Sequence, residues 1–217
     1  MRQTAVAFYC KELLLEGILA SPQGLPGPFP GVLLCHAHPL FGGNMEEPVV
    51  VAMNQALVNA GFMCLRFNFR GVGGSEGQQA KGEAEVADVE AGLEFLYKWQ
   101  TIDRQRLAVA GYSFGASVTL LGLGSLKHAK AFAFVSPTAT SIEKAGLARE
   151  KRPKLFLVGQ QDKLIPPQKV EEALTKAAQP VEMAIAGADH SWRGHQPEVG
   201  ERVTAFLTKQ FGMVGSK

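Results

Sequence analysis

The sequence lacks any apolar run as long as the roughly 18 residues that a membrane-spanning helix needs. Its first twelve residues also lack the apolar segment of a secretory signal, so we expect a cytoplasmic protein that does not bind a membrane. An excess of charge is missing too, since 22 Lys and Arg stand against 20 Asp and Glu, and the two signs are interleaved. A nucleic-acid partner is therefore not expected, because it would require a basic surface.

Cysteine is scarce, with three residues at Cys10, Cys35 and Cys64, each in a short apolar run. An odd number without paired spacing argues against a disulfide framework. Buried reduced thiols are the ordinary outcome for cysteines in such runs. Cys35 lies inside its apolar run with no helix N-terminus beside it, so the sequence does not favour it as a nucleophile.

Short apolar runs alternate with segments of helical periodicity from residue 31 to the end of the chain. The strand-like runs are residues 31–35, 62–69, 107–110, 131–135, 154–158 and 181–185, and the helical segments are residues 48–60, 83–99, 114–121, 166–177 and 197–211. Before them, residues 5–20 indicate two strands joined by a turn. The alternation predicts an α/β fold with a mostly parallel sheet covered by helices on both faces. No linker or repeat divides the chain, so we expect residues 1–217 to form a single domain.

One stretch joins a strand, a serine and a helix. Between residues 107–110 and 114–121 lies Gly-Tyr-Ser-Phe-Gly, a G-x-S-x-G pattern centred on Ser113. This is the place of a nucleophile elbow, a sharp turn that exposes the serine hydroxyl above the sheet. Glycines on either side remove the clashes that such a turn creates. The same pattern also fits an ordinary turn in which the serine caps the helix, so partners downstream decide between the two.

Suitable partners for Ser113 follow two later strands. Asp162 comes just after the strand at 154–158, and His190 just after the strand at 181–185. Because the carboxyl ends of parallel strands meet at one edge of a sheet, we expect these side chains to gather there. The order serine, aspartate, histidine is that of α/β-hydrolase triads, in which the aspartate orients the imidazole and the imidazole takes the serine proton.

Two other carboxylates compete with Asp162 for the role of orienting group. Asp189 neighbours His190 in the chain, but adjacent residues rarely point their side chains at one another productively. Glu182 lies within a strand rather than at its end. We therefore predict a triad of Ser113, Asp162 and His190.

An acyl-transfer site also needs two donors for the oxyanion. One should be the backbone N–H of Phe114, which directly follows the nucleophile. The other should come from the loop after residues 31–35, which begins His-Ala-His-Pro-Leu-Phe-Gly-Gly. We predict the N–H of His38, with Leu40 as the second choice, because Pro39 has no N–H.

Two sequence features favour a metal or a cofactor at first sight. His36 and His38 form an H-x-H pair, but no further ligand stands at the close spacing of a zinc site, so we predict no metal. The glycine-rich loop at residues 71–77 has Glu76 where the dinucleotide-binding pattern needs its last glycine, so we predict no cofactor. The polar residues of the preceding strand are open to a structural or a substrate-binding role: Arg66, Asn68 and Arg70.

With these residues assembled, the chain resembles the α/β-hydrolase superfamily, and within it the small bacterial hydrolases related to dienelactone hydrolases. The resemblance rests on His-x-His-Pro-Leu-x-Gly-Gly-x-Met at residues 36–45 and Arg-Phe-Asn-Phe-Arg-Gly-x-Gly-x-Ser-x-Gly at residues 66–77. It implies a carboxylesterase-type enzyme with a Ser–Asp–His triad. Many relatives carry an aromatic pair after the catalytic histidine, whereas Ser191 and Trp192 stand here, a departure that concerns the shape of the pocket.

Residues 136–153 are too few for the helical cap that many hydrolases of this fold insert at this point. We therefore expect a cap-less fold with an open, shallow site that suits short to medium acyl esters. The side chains predicted to line the substrate pocket are Leu40, Phe41, Tyr112, Phe114, Ile165 and Trp192.

The sequence thus predicts a serine hydrolase that cleaves small-molecule carboxylic esters through an acyl-enzyme on Ser113. A thioesterase or a small acyl-peptidase would carry the same residues and is the alternative among enzymes. A non-catalytic binding protein on a hydrolase scaffold is the alternative of another class. Such a protein would be expected to have lost a triad member, whereas this sequence has all three.

Overall fold

The computed structural model describes residues 1–178 and 181–213. Within these residues, eight strands form one sheet in the order β1-β2-β4-β3-β5-β6-β7-β8. They are β1 (Arg2–Cys10), β2 (Leu13–Ser21), β3 (Phe29–Cys35), β4 (Met63–Phe67), β5 (Ile102–Tyr112), β6 (Ala131–Val135), β7 (Lys154–Gly159) and β8 (Val181–Ala186). β2 pairs antiparallel with both β1 and β4, and the remaining pairs are parallel. This confirms the predicted α/β fold.

Helices cover both faces of the sheet. They are α1 (Pro48–Asn59), α2 (Val86–Lys98), α3 (Phe114–Leu121), α4 (Ala139–Lys144), α5 (Pro167–Leu174) and α6 (Gln196–Gln210), with 3-10 turns at Pro39–Phe41 and Leu147–Arg149. The central strands bury side chains on both faces: Leu33 packs into one hydrophobic core with α2 and α3, and Leu34 into the other with α1 and α6. A strand buried on both faces must be apolar throughout, which is why these strands were visible as continuous apolar runs.

Several element boundaries differ by a few residues from the sequence prediction, and two of these differences have a clear physical reason. β5 begins at Ile102, five residues before the apolar run at 107–110, because Ile102 pairs with Phe29 of β3, while the polar residues between Ile102 and Leu107 stay partly or fully exposed. α2 begins at Val86 rather than at residue 83. The buried carboxylate of Glu85 accepts the N–H groups of Ala80 and Gly82 at 2.6 and 2.9 Å, which holds the chain in a loop up to that point.

The connection between β6 and β7 determines access to the carboxyl end of the sheet. It holds α4, six residues long, and the 3-10 turn at Leu147–Arg149. Thr138 caps α4 by accepting the N–H of Ser141 at 3.2 Å, and Ile142 and Leu147 pack into the core, so this segment lies down on the fold. The predicted absence of a cap domain at this insertion point is therefore confirmed.

None of the helices in residues 1–178 and 181–213 is both long and apolar enough to cross a membrane. The longest helix there, α6, has fifteen residues and buries only one side. Its buried positions, which include Val199, Val203 and Phe206, recur at three- to four-residue spacing, as expected for a helix that lies on a sheet.

Candidate active site

Ser113 lies at the junction of β5 and α3 in strained backbone geometry, with φ 52° and ψ −107°. The strain is held in place by close backbone contacts on both sides. A Cβ atom on Gly111 would lie 2.5 Å from the backbone N of Ala116, and one on Gly115 would lie 2.4 Å from the carbonyl oxygen of Cys35. Both flanking glycines are therefore required by sterics, and the turn has the geometry predicted for a nucleophile elbow.

The structure brings together the three residues that the sequence predicts as a triad. Ser113 Oγ lies 3.0 Å from His190 Nε2, and His190 Nδ1 lies 2.8 Å from Asp162 Oδ2. Because an ionised carboxylate only accepts, the hydrogen resides on Nδ1 and leaves Nε2 free to accept from the serine hydroxyl. Ser113, His190 and Asp162 therefore form a hydrogen-bonded chain with the polarity that proton transfer from serine requires.

Asp162 is fixed by more than its bond to His190. Its side chain is buried, and its second oxygen, Oδ1, accepts the backbone N–H groups of Leu164 and Ile165 at 3.0 and 2.7 Å. These bonds hold the carboxylate in one orientation. The carboxylate thus presents one oxygen to the imidazole and the other to its own loop.

The two competing carboxylates are engaged elsewhere. Asp189 Oδ1 accepts the N–H of Ser191 at 3.0 Å, which closes a local turn after β8. Glu182 points outward and pairs with Lys209 of α6 at 2.7 Å. Asp162, by contrast, contacts the His190 ring directly.

Tyr112 supports the base from the residue before the nucleophile. Its hydroxyl donates to the carbonyl oxygen of His190 at 2.8 Å, and only 7% of its surface is exposed. Burial is the main cause that raises the pKa of the Tyr112 hydroxyl above its ordinary value, so the hydroxyl stays protonated and donates. The side chain predicted as a pocket wall therefore holds the histidine loop in place.

The loop between β3 and α1, residues 36–47, lies against the elbow and is called the β3–α1 loop below. Phe114 is the first residue of α3, so its N–H has no acceptor within the helix and is available beside Ser113. The His38 ring packs on the Phe114 ring with centroids 4.6 Å apart, which brings the start of the β3–α1 loop to the elbow. Leu40, the second choice as oxyanion donor, gives its N–H to His38 Nδ1 at 3.2 Å.

His36 is a fully buried anchor of the β3–α1 loop. Its Nδ1 donates to the carbonyl oxygen of Ala37 at 2.7 Å, and its Nε2 accepts the N–H of Phe69 at 3.1 Å. Burial lowers the pKa of His36 to about 4, which keeps the ring neutral near pH 7. Both ring nitrogens are thus occupied by backbone groups rather than available to a metal, and the described residues contain no group of three potential metal ligands.

The two sequence motifs at residues 36–45 and 66–77 are interlocked in space. Besides the bond from Phe69 to His36, Asn68 Oδ1 accepts the N–H of Met45 at 2.8 Å, and Asn68 Nδ2 donates to Glu16 of β2 at 2.6 Å. Each motif therefore supplies the hydrogen-bond partners of the other. The other polar residues of β4 and its end are also paired: Arg66 with Glu46, and Arg70 with Asp88.

These pairings assign structural roles to the three polar residues that the sequence left open. Arg66 makes two bonds to Glu46 at 2.9 and 3.0 Å, and Arg70 makes bonds to the fully buried Asp88, the shortest at 2.7 Å. The Arg70–Asp88 pair ties the end of β4 to α2. Sequence reasoning missed the partners Glu46 and Asp88, because a carboxylate near a helix start has no distinctive pattern.

The predicted pocket residues fall into two groups. Leu40 and Phe41, at the 3-10 turn of the β3–α1 loop, are 77% and 88% exposed, and Ile165 and Phe114 are largely covered. Trp192 corrects the prediction, because it is fully buried against α6 and donates its Nε1–H to Ser136 Oγ at 3.1 Å. A side chain enclosed in this way is part of the core and does not line the site.

Cys35 ends β3 close to the elbow, and the structure accounts for it as a core residue. It is fully buried, and burial raises the pKa of its thiol to about 12, so the thiolate needed for nucleophilic attack does not form near neutral pH. Cys10 and Cys64 are buried free thiols as well.

Comparison with known proteins agrees with this geometry. The model of the dienelactone hydrolase family matches residues 15–209, nearly the whole chain. The chain belongs to the dienelactone hydrolase family. As a member of this family it is a hydrolase of the α/β type, which agrees with the resemblance found in its motifs.

Individual relatives agree with membership of the dienelactone hydrolase family. An uncharacterised protein of Rickettsia prowazekii is 31% identical over 211 residues, which cover 93% of this chain and 87% of the relative. A solved α/β serine hydrolase homologue from Coxiella burnetii superposes with a TM-score of 0.83 at 30% identity, covering 94% of this chain and 97% of that one. An α/β serine hydrolase without lid from Xanthomonas campestris gives a TM-score of 0.83 at 23% identity and coverages of 100% and 98%, a likeness of fold.

Proposed function

We propose that this dienelactone hydrolase family member is a serine esterase that cleaves small carboxylic esters through an acyl-enzyme on Ser113. The observation that carries the proposal is the chain of hydrogen bonds from Ser113 Oγ to His190 Nε2 at 3.0 Å and from His190 Nδ1 to Asp162 at 2.8 Å. No other group in this arrangement is needed to activate the serine, because the imidazole accepts its proton and the buried carboxylate stabilises the imidazolium.

In the proposed reaction, Ser113 Oγ attacks the ester carbonyl while His190 Nε2 takes its proton. The carbonyl oxygen then carries negative charge, for which the N–H groups of Phe114 and His38 are the proposed donors. Collapse of this intermediate expels the alcohol, which receives the proton from His190, and leaves the acyl group on Ser113. Water activated by His190 then releases the acid and restores the serine.

The proposed substrate class follows from the shape of the surroundings. The β6–β7 connection adds only α4 and a 3-10 turn, so this connection places no cap over Ser113. The side chains at the rim that are both apolar and exposed are Leu40, Phe41 and Leu164. An open site with a few apolar side chains offers a short contact surface, which favours short to medium acyl groups. We also propose that residues 1–217 act as one domain, since strands from β2 to β8 contribute to the single sheet that carries the site.

The test is labelling of the intact protein with a fluorophosphonate, followed by peptide mapping and by kinetics with p-nitrophenyl esters of increasing chain length. We expect one adduct on Ser113 and the highest kcat/KM for short acyl esters. The Ser113→Ala variant should lose the adduct and roughly a million-fold in kcat, the size of effect that removal of a serine nucleophile has in subtilisin. Absence of both adduct and turnover in the wild-type protein would contradict the proposal.

The orienting carboxylate is tested by a matched pair of variants. Asp162→Asn should lower kcat by about 10⁴-fold, because the amide cannot fix the histidine tautomer as the carboxylate does. Asp189→Asn should change kcat little, since that side chain only accepts the N–H of Ser191. The reverse result, measured with p-nitrophenyl acetate, would assign the role to Asp189.

A further inference from the structure

Glu47 has a carboxyl group that the proposed reaction does not use, although it lies beside the site. It directly precedes α1, and its Oε1 accepts the N–H of Ala37 at 2.8 Å. A residue at this position usually caps its own helix, but the Glu47 side chain makes no such bond to α1. Its carboxyl group therefore serves the start of the β3–α1 loop rather than the helix that follows it.

The direction of the His38 N–H depends on the two peptide groups on either side of the Ala37 Cα. The carbonyl oxygen of Ala37 accepts from His36 Nδ1 at 2.7 Å, and in a trans peptide the following N–H points the opposite way. The preceding peptide group is held by Glu47 through the Ala37 N–H. With both peptide groups held, the backbone at Ala37 has one orientation, and so has the His38 N–H.

The chain also folds back tightly over this point. A Cβ on Gly43 would lie 2.1 Å from the carbonyl oxygen of Ala37, and the N–H of Gly43 donates to the carbonyl oxygen of His38 at 3.1 Å. Glu47 is thus one of several polar attachments around Ala37 and His38, and it is the one that comes from the far end of the loop. Loss of this attachment would free the Ala37 N–H to turn.

The charge of Glu47 suits a position near a developing oxyanion. Burial raises the pKa of its carboxyl group to about 8, so the group is largely neutral at pH 7. A neutral carboxyl group still accepts the N–H of Ala37 through its carbonyl oxygen. It adds no negative charge that would oppose charge formation on the substrate oxygen.

We propose that Glu47 is a positioning residue for the oxyanion hole, holding Ala37 so that the N–H of His38 faces the carbonyl oxygen of the substrate. This role rests on the proposed ester hydrolysis at Ser113. Because the His38 N–H gains most when charge has formed on that oxygen, the loss of Glu47 should weaken binding of the transition state far more than binding of the ester.

The experiment compares Glu47→Ala, Glu47→Gln and the wild-type protein at pH 7. Kinetics with p-nitrophenyl butyrate give kcat and KM, and competition with phenylboronic acid, which adds to the serine as a tetrahedral anion, gives a transition-state affinity. Glu47→Ala should lower kcat roughly 10- to 100-fold and weaken boronate binding by a similar factor, with KM nearly unchanged. Glu47→Gln keeps an acceptor oxygen for Ala37 and should restore most of both.

Glu150→Ala is the matched control. Glu150 also accepts a backbone N–H, that of Arg152 at 2.9 Å, but it precedes β7 and so lies at the opposite end of the strands from Ser113. This variant should unfold at a lower temperature while keeping the wild-type kcat and boronate affinity. It thereby separates loss of a structural carboxylate from loss of the His38 orientation.

Wild-type values of kcat and boronate affinity in Glu47→Ala would overturn the role of Glu47 while leaving the proposed function standing. A Glu47→Gln variant as impaired as Glu47→Ala, or a change in KM alone, would overturn it as well. Should Glu47→Ala fail to fold, Glu47→Asp, which withdraws the carboxyl group by one methylene, takes its place in the comparison with Glu47→Gln. A wild-type protein that neither hydrolyses the ester nor binds the boronate overturns the proposed function and this role together.

Discussion

The nucleophile elbow and the β3–α1 loop meet at the same site but are held by different forces. At the elbow, backbone approaches backbone so closely that Gly111 and Gly115 have no room for a Cβ. In the β3–α1 loop, polar groups hold the chain, among them His36 and Glu47 within it and Asn68 from the end of β4. The steric constraint is visible in the sequence as two glycines beside the serine, whereas the polar constraint joins ordinary polar residues to backbone groups that can be distant in the chain, 23 positions away for Asn68 and Met45.

The largest expected effect tests the steric half of this comparison. In Gly115→Ala, the new methyl group would meet the carbonyl oxygens of Cys35 and His36 at 2.4 and 2.6 Å, and neither backbone atom can move aside cheaply. We expect a loss of about 3 kcal/mol or more in the free energy of unfolding and a collapse of esterase turnover. Gly124→Ala is the control, because nothing lies within 4 Å of its added Cβ. Urea denaturation of both variants checks the difference, and equal stabilities would contradict the steric account.

The next effect concerns the pH dependence of the stability that His36 contributes in the β3–α1 loop. Burial lowers the pKa of His36 from 6.5 to about 4, so between these values the unfolded chain binds a proton that the folded protein does not. Stability from this residue is therefore present above pH 6.5 and is lost as the pH falls toward 4, by about 3 kcal/mol. The free energies of unfolding of the wild type and of His36→Gln, measured between pH 6.5 and pH 4, should converge as the pH falls. His195→Gln, which alters an exposed ring, should retain the wild-type slope.

The smallest effect tests whether the two motifs depend on each other. Asn68→Ala removes the acceptor for the N–H of Met45 and the donor to Glu16, and both partners are partly buried. We expect a loss of about 1–3 kcal/mol in the free energy of unfolding. Hydrogen exchange should be accelerated more, relative to the wild type, at the Met45 amide than at the Ser117 amide in α3. Equal acceleration of both amides would show that the loop and the elbow do not differ in the way described.

The contrast also explains what could be predicted from the sequence. Local sterics and apolar runs leave a direct trace in residue type. For this reason the sequence revealed the G-x-S-x-G at Ser113 and the strands that end before Asp162 and His190. The fold followed from the same signals. Ser113, His190 and Asp162 form a chain of hydrogen bonds, and their catalytic roles remain the proposal.

What the sequence did not reveal were contacts between distant polar residues. The role of Glu47 could not be predicted, because a glutamate before a helix is common. Its side chain bonds to Ala37 rather than to its own helix, which depends on the tertiary fold. Trp192 was misplaced for a related reason. An indole two residues after His190 suggests a pocket wall, but the chain turns at Trp192 with φ 55° and directs the ring inward to Ser136.

The short β6–β7 connection has a consequence for the fate of the proposed acyl-enzyme. A covered site can exclude water and hold an acyl group until another acceptor arrives. Here the segment from α4 to the 3-10 turn at Leu147–Arg149 lies on the fold, and Phe41 at the rim is 88% exposed. The acyl group would be in contact with bulk water, which at about 55 M exceeds an alcohol at about 1 mM by roughly 5 × 10⁴-fold. We therefore expect the proposed acyl-enzyme to react with water rather than to transfer its acyl group to an alcohol.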